Sequence, residues 1–255
     1  GDVVLEEESL ISVAANSSGG NAGTLEVKSG LGSFVNFGFI TGSAAANAIQ
    51  GSFLLDVYEF DAVDAGSLAS INQSLDLGGF HQSRNFRARN GNVIIDHDIR
   101  ARNFSMAADN GSITVTHKID ASGITGGNIA LTARDSLTLE NGTALTVAAE
   151  KFDSAGKGGS IVLEAGTQRD GNANLFATLG IKSGASLDLS VEEFKTGKYD
   201  AVGSSAFEGK FTGTLHLRAP RTAGNDGILI VEERFKQATI RIKCGRVKDG
   251  IFRSK

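Results

Sequence analysis

One motif constrains this chain more than any other: a glycine followed, two and four positions on, by large apolar residues. Gly1 precedes Val3 and Leu5, Gly23 precedes Leu25 and Val27, and Gly51 precedes Phe53 and Leu55. The motif returns at Gly91 with Val93 and Ile95, Gly111 with Ile113 and Val115, and Gly127 with Ile129 and Leu131. Gly159 with Ile161 and Leu163, Gly213 with Leu215 and Leu217, and Gly227 with Leu229 and Val231 complete nine matches. Chance alone gives about two or three. Apolar residues two apart share one side of an extended chain, so Val93 and Ile95 face one way and Asn92 and Ile94 the other. Each alternation is brief and ends in Gly, Asn, Asp or Ser, the residues of tight turns. Strands this short do not suit an open sandwich of ordinary strand length.

The motif also recurs at a spacing. Gly91 and Gly111 are 20 residues apart, and Gly111 and Gly127 are 16 apart. Leu137 with Leu139, Leu145 with Val147, and Leu187 with Leu189 add further period-two segments. A repeat of about 20 residues with two or three short strands marks a chain that stacks on itself. The predicted fold is therefore all-β: a right-handed parallel β-helix, or β-solenoid, with irregular loop excursions. It is assigned to residues 1–222 and is most regular over 90–222. Inward Ile, Leu and Val form ladders, and glycines stand where φ is positive or backbones approach closely. Turns of ~4.8 Å, about a dozen of them, predict a rod roughly 60 Å long. An open parallel edge invites further pairing, so caps or more repeats are expected on both sides.

A helical period of 3.6 is convincing nowhere. Residues 34–49 are rich in Ala and Gly and leave the choice open. Residues 57–71, next to Asp56 and carrying Glu59, Asp61 and Asp64, read as a short helix or an outward loop, as do residues 192–199. Stretches 56–70 and 192–208 are expected to present a binding surface. After Pro220 the cations Arg234, Lys236, Arg241, Lys243, Arg246, Lys248, Arg253 and Lys255 cluster. Residues 223–255 read as a basic tail: a cap, a linker, or the edge of a truncated reading frame.

Composition narrows the function classes. A net charge of −4 offers no basic stripe for nucleic acid. No apolar run approaches the roughly 18 residues of a membrane span, so no membrane insertion is expected. The single Cys244 excludes an internal disulfide and zinc-ligand spacing. Lys243 and Arg246 favour its thiolate, yet no nucleophile motif surrounds it and it reads as a lone thiol. No signal peptide is visible, and Gly1 leads straight into an apolar run, as in an internal part of something longer. No Trp and two Tyr, Tyr58 and Tyr199, argue against a strong lectin groove, while 15 Phe suit a core.

Candidate chemistry is sparse. Asp96, His97 and Asp98 are the most site-like cluster, because a histidine between carboxylates can bind a metal or move a proton. Alternation turns both aspartates to solvent, as ordinary strand-end charges. Arg241 and Lys243 match a substrate-binding triplet of β-helical pectin hydrolases, but the paired aspartates that such enzymes need are missing. Residues 17–23 are glycine-rich without the Gly-Lys-Ser/Thr ending of a phosphate loop, and no nonapeptide calcium repeat occurs. No catalytic, cofactor-binding or metal residue is assigned, and the chain is read as a non-enzyme. A polysaccharide hydrolase or lyase remains the alternative if Asp96, Asp98, Asp120 or Asp135 converge in a groove; a non-enzymatic carbohydrate-binding module is another.

Residues 126–142 and 158–166 resemble the haemagglutinin repeats of filamentous haemagglutinin and related two-partner-secretion exoproteins. Residues 213–222 are similar to a segment common in very large members of that group. The resemblance covers roughly 90–222. It implies a β-helical passenger exported across a Gram-negative outer membrane by a partner transporter, placed outside the cell or on its surface. It further implies a role in adhesion, aggregation or biofilm formation, with cell-surface glycans or proteins as partners. The family's secretion domain carries Asn-Pro-Asn motifs; with Pro220 the only proline, this chain is expected to lie downstream of that domain.

Overall fold

The computed structural model describes residues 1–62, 64–166, 174–192, 213–220, 229–231 and 238–244. The chain is all-β with very little helix: the described residues hold 23 short strands, one 3-10 turn and one α-helix. Every strand pair among them is parallel. The largest sheet has eight strands, running in chain order from Thr24–Ser29 to Ala238–Cys244. A second sheet of five begins at Val93–Ile95, and a third of four begins at Ile99–Arg100.

The chain visits these sheets in turn. Ser83–Ala88 lies in the first, Val93–Ile95 in the second, Ile99–Arg100 in the third, and Asn103–Ala108 in the first again. Each strand pairs with the one reached on the next visit: Asn103 lies beside Ser83, Ile113 beside Val93 and Ile119 beside Ile99. Parallel strands need a long connection; here the strands of the other two sheets supply it. The same order holds near the N-terminus, where Val3–Leu5 pairs with Phe34–Asn36 and Leu10–Ser12 with Phe39–Thr41. The apolar pair of each of the nine motifs falls on a strand.

Two expectations change in scale. Eight strands in the first sheet span about 34 Å at ~4.8 Å per step, not the roughly 60 Å of a dozen turns. Long connections absorb the difference. From third sheet to first, the chain takes residues 101–102, then 121–127, then 147–159. Within 223–255, Leu229–Val231 and Ala238–Cys244 are strands of the second and first sheets. The other cations of that stretch, and residues 193–208 with Tyr199, lie outside the described residues.

The alternation read from the sequence builds the core. Phe104, Met106 and Ala108 point inward, as do Ile129, Leu131 and Ala133 on the next strand and Ile161, Leu163 and Ala165 beyond it; none is more than 2 % exposed. Each large apolar side chain so buried contributes about 1.5–3 kcal/mol. Phe53, Phe86 and Phe104 add tilted edge contacts, with centroids 6.2 and 5.9 Å apart, of about 0.5–1.5 kcal/mol each. Several motif glycines sit where circuits touch. A Cβ on Gly111 would lie 2.0 Å from the carbonyl oxygen of Gly91, and one on Gly127 only 1.9 Å from that of Arg102.

One circuit departs from the pattern. Between strands Ser52–Val57 and Ser83–Ala88 the short strands give way to a 3-10 turn, Asp64–Gly66, and to helix α1, Leu68–Leu77. Ser67 caps α1 by accepting the Ser70 backbone N–H at 3.2 Å. Leu68, Ile71 and Leu75 are buried, so of the two readings of residues 57–71 the short helix holds at the C-terminal end of that stretch, and it packs into the core instead of pointing outward. Its helical period is short, and the polar Asn72 interrupts the buried face. α1 packs on Phe39–Thr41 on one side. On the other, Asn72 Nδ2 donates to the Asp98 carbonyl at 3.3 Å, next to the outermost strand of the third sheet.

Candidate functional site: a polar groove beside the helix

The register of the first sheet puts Arg84 in the inward ladder, between Phe53 and Phe104. Its side chain is fully buried. Burial costs a charge several kcal/mol unless it is paired and hydrogen-bonded, and α1 supplies the partners. Arg84 Nε donates to the Phe80 carbonyl at 2.8 Å, Nη1 to Asn72 Oδ1, and Nη2 to Asp76 Oδ1. Burial pulls the guanidinium below its ordinary pKa, and the hydrogen bond and charge of Asp76 hold it up. Asp76 is 39 % exposed, so this pair runs from the core to the surface.

It surfaces in a groove of about 400 Å³ lined by Asp76, His81, Asp98, Ile99, Arg100, Lys118 and Asp120. Three elements converge here. α1 brings Asp76; the turn into strand Ser83–Ala88 brings His81, whose Nδ1 lies 3.2 Å from the Arg100 carbonyl. The third sheet brings the rest, with Arg100 beside Asp120 in register. Asp98 Oδ1 accepts the Lys118 backbone N–H at 3.0 Å. Lys118 Nζ donates to Asp120 Oδ2 at 2.7 Å, and Asp120 Oδ1 accepts the backbone N–H and hydroxyl of Ser122 at 2.9 and 2.5 Å. Burial pushes the Asp120 carboxyl up, but these hydrogen bonds outweigh it and leave Asp120 below the ordinary carboxylate range. Asp120 is therefore an ionised acceptor near neutral pH, the state of a base or nucleophile and not that of the general acid of glycoside hydrolysis.

Of the four aspartates singled out in the sequence, Asp98 and Asp120 share the groove, and Asp96 and Asp135 are not among its lining residues. Asp135 Oδ1 accepts Asn174 Nδ2 at 2.6 Å. Asp96 is 60 % exposed and lies 3.2 Å from His97 Nδ1. His97 is mostly buried, and its Nε2 has no hydrogen-bond partner. Burial pulls the imidazole below its ordinary pKa, while Asp96 opposes that pull. Asp96, His97 and Asp98 thus divide between a contact of exposed Asp96 with a largely buried imidazole and a groove wall. Among the described residues no group of three or more His, Cys, Asp or Glu is placed to hold a metal ion. Arg241 and Lys243 occupy alternate positions of strand Ala238–Cys244.

Sequence reasoning missed Asp76, His81, Arg84 and Arg100. A signal existed for Arg84: it takes an apolar position of a strand whose other inward residues are Phe86 and Ala88. A second charged cluster lies on the outer face of the first sheet. There Asp56 accepts Arg89 Nε at 2.8 Å and Arg87 Nη1 at 3.1 Å, and Arg87 also pairs with Asp109. The Arg89 hydrogen bond is the chief reason the Asp56 carboxyl lies below its ordinary range. These charges satisfy one another across neighbouring strands. No helix among the described residues is long and apolar enough to cross a membrane. No protein-family model, curated protein or solved structure matches the chain.

Proposed function

We propose that this chain is a segment of a right-handed parallel β-helix in a large exported bacterial surface protein, similar to filamentous haemagglutinin, that acts in adhesion or aggregation and not in catalysis. The observation that carries the reading is the order of the strands. They visit three sheets in turn, and each pairs in parallel with its counterpart one circuit later. The right hand follows from the rule that crossovers between parallel strands turn that way in about 98% of cases. Such a stack extends by repetition and offers long lateral faces, as a stalk or adhesive rod requires. In this reading the full protein crosses the outer membrane through a partner transporter and works at the cell surface or beyond it.

The test is display. The chain is placed downstream of a two-partner secretion domain and expressed with its transporter in a non-aggregating Gram-negative host. Protease accessibility of the chain on intact cells, with faster settling or stronger surface attachment than the secretion domain alone gives, is the expected result. A chain that reaches the surface folded and changes neither would overturn the adhesive role.

A further inference from the structure

We propose that residues 246–255 of a second copy dock on the outer face of the first two circuits, at the corner between strands Val3–Leu5 and Leu10–Ser12. Alternation fixes what faces outward there. Val3, Leu5 and Ile11 lie beside Phe34, Asn36 and Ile40, which are buried, so Val4 and Leu10 point away from the core. Val4 lies beside Val35 and Leu10 beside Phe39 in register. Val4 is 46 % exposed, Leu10 64 % and Phe39 66 %, and Phe37 at the corner is 51 % exposed. The four-stranded third sheet carries Lys118, Asp120 and Asp188 at its outward positions instead. The apolar side chains face sideways and not along the stack, so no further circuit at that end would cover them. An apolar face of this kind marks contact with another molecule.

Neighbouring charges select the occupant. Glu6, Glu7 and Glu8 form the turn between the two strands and are exposed. This turn lies against the Phe37–Gly38 corner. The Phe37 N–H donates to the Leu5 carbonyl at 2.8 Å, and a Cβ on Gly38 would lie 2.8 Å from the carbonyl oxygens of Glu6 and Ser9. Residues 3–13 and 34–41 contain no Lys, Arg or His. An apolar face rimmed by three carboxylates takes a segment that is both apolar and cationic. Residues 246–255 are such a segment: Arg246, Lys248, Arg253 and Lys255 stand against the single acid Asp249, with Val247, Ile251 and Phe252 between them in sequence. The segment comes from a second copy because it cannot reach its own corner. Strands Ala238–Cys244 and Thr24–Ser29 are opposite edges of the first sheet, about 34 Å apart at ~4.8 Å per step. Fully extended, residues 245–255 span about 40 Å, too little to cross that distance and then lie along the corner. Corner and tail are different surfaces, so the contact is head-to-tail and repeats from copy to copy.

The contact belongs to the purified chain and does not depend on the adhesive reading. The experiment is sedimentation of the whole chain over a range of concentrations, at low and at high salt. The expected result is species larger than a monomer that grow with concentration and shrink as salt screens the charges. Phe39→Ser, at an exposed position, is expected to keep the wild-type unfolding midpoint and to weaken association by about tenfold or more. Glu6→Lys with Glu7→Lys, and separately Arg253→Glu with Lys255→Glu, are each expected to weaken it, and all four changes in one chain to restore it. The Phe39→Ser chain keeps its tail, and the tail-reversed chain keeps its corner, so a mixture of the two should form one-to-one dimers and nothing larger. A chain that stays monomeric at every concentration, association that survives in folded Phe39→Ser, or a fourfold variant that associates no better than its two halves would each overturn the proposal.

Discussion

At the scale of single residues, the glycines do two different jobs that look alike in the sequence. Gly142 has φ +89° with open space around its α-carbon, so it is there for backbone conformation. Gly127 has no positive φ; its missing side chain lets the next circuit rest on the carbonyl of Arg102. Gly127→Ala should force those backbones apart and cost about 2–3 kcal/mol. Gly142→Ala should cost about 1 kcal/mol, from conformational strain alone. Denaturant midpoints of the two variants check this, and equal costs would refute the contact explanation. The distinction was not legible in the sequence, because the atom that excludes a side chain at Gly127 belongs to a residue 25 positions earlier. The presence of a strand after each motif glycine was legible, because alternation is a local property.

At the scale of elements, α1 is the feature that local reading could not place. Its apolar period is broken at Asn72, and the ladder it packs against is broken at Arg84. Each residue looks like an error in its own element; together they are one hydrogen-bonded contact. Patterns that assume an apolar interior fail at such a pair by construction, and that is why the sequence left residues 57–71 open between a short helix and an outward loop. The pair also makes α1 and strand Ser83–Ala88 depend on each other. Asp76→Ala leaves the buried guanidinium without its countercharge and is expected to destabilise the protein by about 3 kcal/mol. Adding Arg84→Leu removes the stranded charge, so the double variant should be more stable than Asp76→Ala alone. Calorimetry on both checks the sign, and a double variant less stable than the single would refute the coupling. The groove was legible only in part for the same reason: Asp98 and Asp120 stood out as aspartates that could converge, but the helix that makes them one wall of a groove did not.

At the scale of the whole molecule, stability is distributed along the stack. Each strand touches chiefly the strands before and after it in its sheet, so the total approximates a sum of neighbour terms. Strands Asn103–Ala108 and Asn128–Ala133 are paired on both sides. Val3–Leu5 and Leu10–Ser12 are each paired with a single strand. Native-state hydrogen exchange is expected to be at least about tenfold slower in the first two than in the last two. Uniform exchange across all four would mean that the molecule opens only as a unit.

The connections between the third sheet and the first have a consequence for how such a chain can change over time. They lengthen from residues 101–102 to 121–127 to 147–159 while the strands on either side keep their register. Differences in length are therefore accommodated at one corner while the inward side chains of the flanking strands stay in register. That corner works as a seam, where new sequence can be stitched in and tried while the ladder beneath it continues unaltered.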